Sequence, residues 1–270
     1  MSPTELVEKA AALGLTAVAV TDHDTVDGLP EALAAGERLG IRVVPGVEIN
    51  LEHERVTMDM LGYFLGGRPS EELQTALAAL RVYRDERNAR IVERLAELGC
   101  PLEADDLAAA AEYGAVGRPH IGEALVRRGY AGSITEAFER FLRRGAPAWV
   151  DRRRLSLRAA VRLLRASGGL PVLAHPGLIH ADAAGLEHIV RDAARLGMAG
   201  IECYYPLHDE DTVARCLRLA EKYVLVPTGG SDFHGAIKPD AHLGIGSAGL
   251  PLPDELLASL ECLAPDGLLR

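Results

Sequence analysis

Aromatic side chains are scarce in this chain, with one Trp, four Phe and seven Tyr among 270 residues. Apolar residues still make up 48%, so a core has to be built from Ala, Leu and Val, the composition of helices packed around a parallel sheet. Long hydrophobic runs are missing as well. No window reaches the length of a membrane span and the start carries no basic-apolar leader, so no membrane partner is expected. Cysteine is sparse: Cys100, Cys203, Cys216 and Cys262 lie far apart with no C-x-x-C spacing. That excludes a disulfide framework or a zinc knuckle and reads as buried thiols in a reducing, cytoplasmic setting. Net positive charge is lacking too; the formal charge is −10, which argues against a protein that coats duplex nucleic acid.

What basic charge there is collects in the middle. Residues 66–165 carry 18 Arg, no Lys and 14 Asp plus Glu. The planar guanidinium suits bidentate phosphate or carboxylate contacts, although a solvated face accounts for most of these residues.

The chain is organised around Ala17–Asp24, A-V-A-V-T-D-H-D, a small apolar run that ends in Asp22, His23 and Asp24. Such a run suits a buried parallel strand, and in parallel sheets ligands collect at the carboxyl ends of strands. A strand followed by Asp and Thr also opens an ordinary loop and helix N-cap. Repetition favours the site. Arg42–Glu48 ends in Glu48, Leu170–His175 in His175, and Tyr223–His234 in Asp232 and His234, so several apolar runs each deliver a His, Asp or Glu to one convergent metal or acid–base centre. Val56–Phe64 reads as a further strand with Asp59 inside it, and an interior carboxylate needs a partner.

Ser2-Pro3-Thr4-Glu5 is a capping box that predicts a helix from Pro3 to Leu13. Nothing precedes it to serve as a first strand. From residue 66 to 150 the pattern turns helical, with expected helices Glu71–Leu80, Val82–Leu98, Glu103–Tyr113, Pro119–Arg128 and Ile134–Arg143, and with Gly99, Gly114 and Gly129 as stops. Strand–helix alternation then resumes. The expected organisation is an α/β domain made of residues 1–65 and 151–270, interrupted by an all-helical insertion at 66–150.

Six strings in order carry a resemblance: T-D-H-D at Thr21–Asp24, G-V-E at Gly46–Glu48, L-G-Y-F at Leu61–Phe64, G-R-P-H at Gly117–His120, L-A-H-P at Leu173–Pro176 and G-S-D-F-H at Gly230–His234. Together, over residues 2–246, they resemble the polymerase and histidinol phosphatase (PHP) superfamily, in its branch of stand-alone phosphoesterases acting on nucleotides. The resemblance implies a distorted seven-stranded (β/α) barrel with a helical insertion. It also implies two or three divalent metals at the strand ends, manganese by preference with iron or zinc as alternatives. Carried over by motif, Glu48 bridges two metals, His175 and Asp59 complete one, Asp232 serves another, and His23 with His234 a third. Glu48, Asp232 and His234 are the expected catalytic set, with Asp22 and Asp24 standing behind His23 to orient it. Arg118 and His120 open a predicted helix where phosphate contact competes with a packing role. Of the stripe Arg81, Arg84 and Arg87, one member, Arg84, is expected at the substrate. Lys238 either meets a phosphate or sits in a surface loop. His53, His180, His188, His208 and His242 have no motif support and are expected to be exposed or structural.

The chain departs from the family pattern twice. The D-x-H-x-H strand and the S-D-G that open family members are absent, so the expectation is a reading frame that begins upstream of Met1, its rival being a truly short chain that is a poor catalyst. Asp59 also stands where the family has His, a change that a hard metal tolerates. The implied function is metal-dependent hydrolysis of a phosphate monoester on a small nucleotide, such as a nucleoside 3',5'-bisphosphate, or of short single-stranded oligonucleotide ends. The alternatives are phosphatase action on another small metabolite such as a histidinol phosphate-like ester, or a catalytically degenerate nucleotide-binding module.

Overall fold

The structure, a computed structural model, describes residues 1–66, 68–112, 116–235 and 238–264, without the side chains of 109–112. In chain order the elements are α1 (Pro3–Ala12), β1 (Ala17–Val20), α2 (Leu29–Leu39), β2 (Arg42–His53), β3 (Val56–Tyr63), α3 (Glu71–Glu97), α4 (Ala104–Glu112), α5 (Arg118–Arg127) and α6 (Ile134–Ala137). A π-helical turn Phe138–Leu142 follows, then β4 (Leu155–Ser156), α7 (Leu157–Ala166), β5 (Leu170–Leu173), α8 (Ala183–Leu196), β6 (Gly200–Tyr204), α9 (Glu210–Tyr223), β7 (Val226–Gly229) and α10 (Glu255–Glu261). They divide into two compact units, residues 1–75 with 154–270, and residues 76–153.

The first unit is a mixed α/β structure. Its seven-stranded sheet runs β1-β2-β3-β5-β6-β7, with β4 pairing on β2 off that path. The all-parallel sheet suggested by composition needs correcting, because β3 is antiparallel to both β2 and β5. The cause is local. β2 does not stop at Glu48 but runs on to His53, and a two-residue turn at Glu54 and Arg55, both at positive φ, folds β3 straight back, as two-residue hairpin turns require. The remaining neighbours, β1 with β2, β2 with β4, β5 with β6 and β6 with β7, are parallel. All run toward the same edge, which becomes the site.

Local chemistry explains the helix ends. The Ser2 hydroxyl accepts from the Glu5 N–H at 3.1 Å while the Ser2 N–H donates to the Glu5 carboxylate at 2.8 Å, the expected capping box. Helix α1 packs with α2 over β1 through Val7, Ala10, Val18, Val20 and Ala32, all buried. A second cluster joins Val44, Leu61, Val172 and Ala174 under α10. Both clusters are mainly aliphatic, with Tyr63 the one aromatic among the buried residues of the second and Phe233 packed against the first.

The second unit has its own core of Ile91, Leu95, Leu102, Ile121, Leu125 and Leu142 with their neighbours. Two of its expected helices are a single one. No Gly or Pro interrupts Leu80–Val82, so α3 runs for 27 residues. The helix expected over Ile134–Arg143 changes to a π-turn after Ala137, in which Phe141 and Leu142 are both buried. Tyr113 and the expected stop at Gly114 lie outside the described residues. One cysteine also departs from expectation: Cys100, Cys203 and Cys216 are buried free thiols, but Cys262 is exposed.

Candidate metal centre

The site is assembled where the parallel strands end. Beyond β1 the ladder continues irregularly: the Glu48 N–H donates to the Asp22 carbonyl at 3.1 Å and the Asp24 N–H to the Glu48 carbonyl at 2.9 Å. This sets His23 beside Glu48. Glu48 is only 5% exposed in the middle of β2, and its two oxygens face different imidazoles. His175 Nε2 lies 3.0 Å from Oε1 and His23 Nδ1 lies 3.4 Å from Oε2. Antiparallel β3 brings Asp59 opposite Asn50, whose Nδ2 donates to Asp59 Oδ1 at 2.8 Å. The other Asp59 oxygen is 4.0 Å from His175 Nε2.

After β7 the chain turns sharply. The His234 Nδ1–H donates to the Asp232 carbonyl at 2.8 Å and lies 3.1 Å from its carboxylate. Tyr205 donates to Asp232 Oδ2 at 3.0 Å, and the Lys238 ammonium donates to the same oxygen. Lys238 is therefore fixed on Asp232 and is no free surface residue. The halves of the site meet through the His23 and His234 rings, 5.9 Å apart, and the His175 and Tyr205 rings, 5.4 Å apart. Asp24, His175 and Asp232 all have positive φ, at 54°, 28° and 47°. L-residues reach that region at a cost, and such residues concentrate at functional sites.

Three contributors have no counterpart in the motif reading. Glu202, inside β6 and 3% exposed, accepts the His175 N–H at 2.7 Å. Its signal was present in sequence as a lone carboxylate within the apolar run Gly200–Tyr204. The glycine that opens G-S-D-F-H now has a reason, since a Cβ on Gly230 would run into the Glu202 carboxylate. Tyr205 orients Asp232. His208, buried, donates from Nδ1 to the Cys203 carbonyl at 2.9 Å and accepts the Gly177 N–H on Nε2 at 3.0 Å, so it holds the turn after His175 against the end of β6.

The charges are strongly coupled. Against burial, which favours the neutral ring, the hydrogen bond and charge of Glu48 lift His175 to about 9. Burial would raise Glu48, but His23 and His175 together hold it below its ordinary value. Burial and then the Glu48 charge push Asp59 up, and burial pushes Glu202 up to about 7. Asp232 is held low by His234 and Lys238 in spite of burial.

These donors fit divalent metal. One donor atom each from His23, Glu48 and Asp59 lies within 4.8 Å of the others. His23 Nδ1 is buried without a hydrogen-bond partner among the described residues, 3.4 Å from Glu48 Oε2. Mixed imidazole and carboxylate donors suit manganese, iron or zinc.

The remaining expected residues are placed as follows. Asp22 is exposed beside His23, and Asp24 is fully buried. Arg84, Arg118 and His120 belong to the second unit. His120 Nδ1 accepts the Gly117 N–H at 2.9 Å, capping α5, while Arg118 donates to the Leu142 carbonyl at 3.3 Å and Arg84 is buried in α3.

A PHP domain pattern matches residues 1–144. A Chromobacterium violaceum 3',5'-nucleoside bisphosphate phosphatase is 34% identical, with 87% of this chain and 82% of that protein covered. An Eggerthella lenta phosphoribosyl 1,2-cyclic phosphate 1,2-diphosphodiesterase is also 34% identical, over 89% and 91%. A Haemophilus influenzae 5'-3' exoribonuclease is 30% identical, over 87% and 85%. The crystal structure of a Bifidobacterium adolescentis protein assigned as a metal-dependent phosphoesterase superposes with a TM-score of 0.87 at 30% identity, covering 100% of this chain and 93% of that one. The sequence pattern, the relatives and the fold agree: the chain belongs to the PHP domain family.

Proposed function

We propose that this phosphoesterase removes phosphate from a small nucleotide of the nucleoside 3',5'-bisphosphate type, using two or three divalent ions, manganese by preference. The observation that carries the proposal is the pair of Glu48 oxygens, each turned to a different imidazole. A carboxylate so placed could bridge two ions, with His175 and Asp59 completing one and Asp232 serving another, while His23 with His234 would hold a third. Asp232 adds a strongly ionised donor, steadied by Tyr205 and Lys238. Divalent ions bound there supply Lewis acidity toward phosphoryl oxygens and make water acidic enough to act as a nucleophile at neutral pH. Asp22 and Asp24 fix His23 from either side, and Glu202 fixes the His175 backbone. Arg84, Arg118 and His120 are the proposed phosphate contacts of the second unit, where an arginine and a helix N-terminus suit an anion.

The test pairs metal content of the purified 270-residue chain with phosphate release from a nucleoside 3',5'-bisphosphate in added manganese. Two or more retained ions with turnover are expected. A cyclic phosphate and a short oligonucleotide run alongside separate monoester from diester preference, which the named relatives divide between them. Glu48→Gln removes the charge that two ions share and should lower turnover by at least ~100-fold, or about 2.7 kcal/mol. Undiminished turnover in that variant would refute the bridge.

A further inference from the structure

At the far end of β2 a second group of metal-type donors stands apart from the centre described above. His53 closes β2, Glu54 lies in the hairpin turn, and His188 and Asp192 project one turn apart from α8, at the i and i+4 positions that share a helix face. Five strand residues separate His53 from Glu48, roughly 17 Å at the rise of an extended chain. None of these four residues belongs to the six family motifs.

His188 donates from Nε2 to Glu54 and accepts Arg191 on Nδ1, and the spacings around these groups also match a coordination shell. His188 Nε2 is 3.1 Å from Glu54 Oε2 and 3.5 Å from Asp192 Oδ2, while His53 Nε2 is 3.3 Å from that same Asp192 oxygen. A tetrahedral ion with bonds of ~2.0 Å to nitrogen and oxygen has ligand–ligand edges of about 3.3 Å. All three spacings fall near that value. His53 Nε2 is moreover shielded from solvent and has no hydrogen-bond partner among the described residues. The two imidazoles are stacked, 5.8 Å apart with 21° between their planes. Outside the donors, Arg191 Nε faces Asp192 Oδ1 at 3.3 Å and Arg195 approaches the same oxygen, leaving Oδ2 to the imidazoles. Such outer contacts orient metal ligands.

We propose that His53, Glu54, His188 and Asp192 form a separate site for a divalent transition ion, zinc by preference. One donor atom each from His53, Glu54 and His188 lies within 4.8 Å of the others, and Asp192 Oδ2, near both imidazoles, would close in as the fourth donor, giving a shell of zero net charge around Zn²⁺ of the structural rather than the hydrolytic kind. Arg191, which now meets His188 Nδ1 at 2.5 Å, turns fully to Asp192 when that nitrogen carries the proton that Nε2 coordination requires. The ion ties the β2–β3 hairpin to α8, and so braces the two strands that carry Glu48 and Asp59.

The test counts zinc in the full chain by elemental mass spectrometry after equilibrium dialysis, comparing the parent with the His53→Ala/His188→Ala double variant. Cobalt substitution reads the coordination by its visible spectrum. The double variant should hold one ion fewer per chain and lose the tetrahedral cobalt bands, while keeping its manganese-supported phosphoesterase activity. Equal zinc content in the two proteins would overturn the proposal, as would cobalt bands that persist in the variant. Circular dichroism checks folding. If the double variant fails to fold, His188→Gln alone, at a half-exposed position, takes its place: one zinc fewer per chain supports the site, and an unchanged zinc count overturns it.

Discussion

His175 holds its proton far more firmly than a free imidazole because Glu48 sits 3.0 Å away in a buried setting. A folded-state value of about 9 above an ordinary 6.5 means that the proton contributes stability in full below pH ~6.5, and that this contribution is lost as pH rises through about 9. Glu202, lifted from 4.5 to about 7, acts in the same direction, since ionising it inside the fold costs more than in the unfolded chain. The metal-free chain is therefore expected to lose on the order of 3 kcal/mol between pH 6 and ~9.5, measured as urea midpoints across that range. His175→Gln should flatten the profile. A metal-free parent whose midpoint rises over the same interval would contradict the ion pair. Because a ligating imidazole has to be neutral, metal binding displaces this proton and should tighten as pH rises.

At the scale of elements, the short turn Pro176–Leu178 after β5 and the loop after β6 are held together by His208, which accepts from Gly177 and donates to Cys203. A Cβ on Gly177 would meet the His208 ring at 2.6 Å, so the turn and the imidazole are fitted to one another. His208→Ala leaves the buried Cys203 carbonyl without this partner and returns the N–H of exposed Gly177 to solvent, at about 1–3 kcal/mol. It should also lower kcat through a misplaced His175 while metal-free circular dichroism stays unchanged. The conservative His208→Gln, able to restore one of the two bonds, should recover part of the loss; equal kcat in all three proteins would show the tie to be dispensable. Helix boundaries were readable where one residue type decides them, as at Ser2, Pro3 and Glu5. The direction of β3 was not, because it depends on the backbone at Glu54 and Arg55, residues that carry no turn signature.

Across the whole molecule, ions at the proposed centre would link segments distant in sequence, from Thr21 to His234. Adding manganese at ~100 times its dissociation constant should stabilise the folded chain by about 2.7 kcal/mol per site. Hydrogen exchange is expected to localise the effect to the first unit, around residues 20–24, 46–62, 173–178, 202–205 and 229–234, with the core of the second unit, around Ile91, Leu95 and Ile121, unchanged. Uniform protection, or none, would speak against a metal centre on the sheet edge. The exposed Cys262, far from all of these segments in sequence, should react with a thiol reagent whether or not manganese is present, whereas buried Cys203 and Cys216 should not react in the folded chain.

The sequence by itself determined which side chains the site could use. Apolar runs that stop at His23, His175 and Asp232, and a lone Asp59 within another, are visible without coordinates because burial and chemistry impose them on neighbouring residues. The aliphatic, aromatic-poor core and the capping of α1 are local in the same sense. Only the tertiary structure decided that the two Glu48 oxygens face different imidazoles, that Glu202 supports His175 from an adjacent strand, and that His53 and His188, which have no motif, share a carboxylate. Those relations depend on sheet register and helix packing between residues up to 139 positions apart, and no local pattern encodes such a distance.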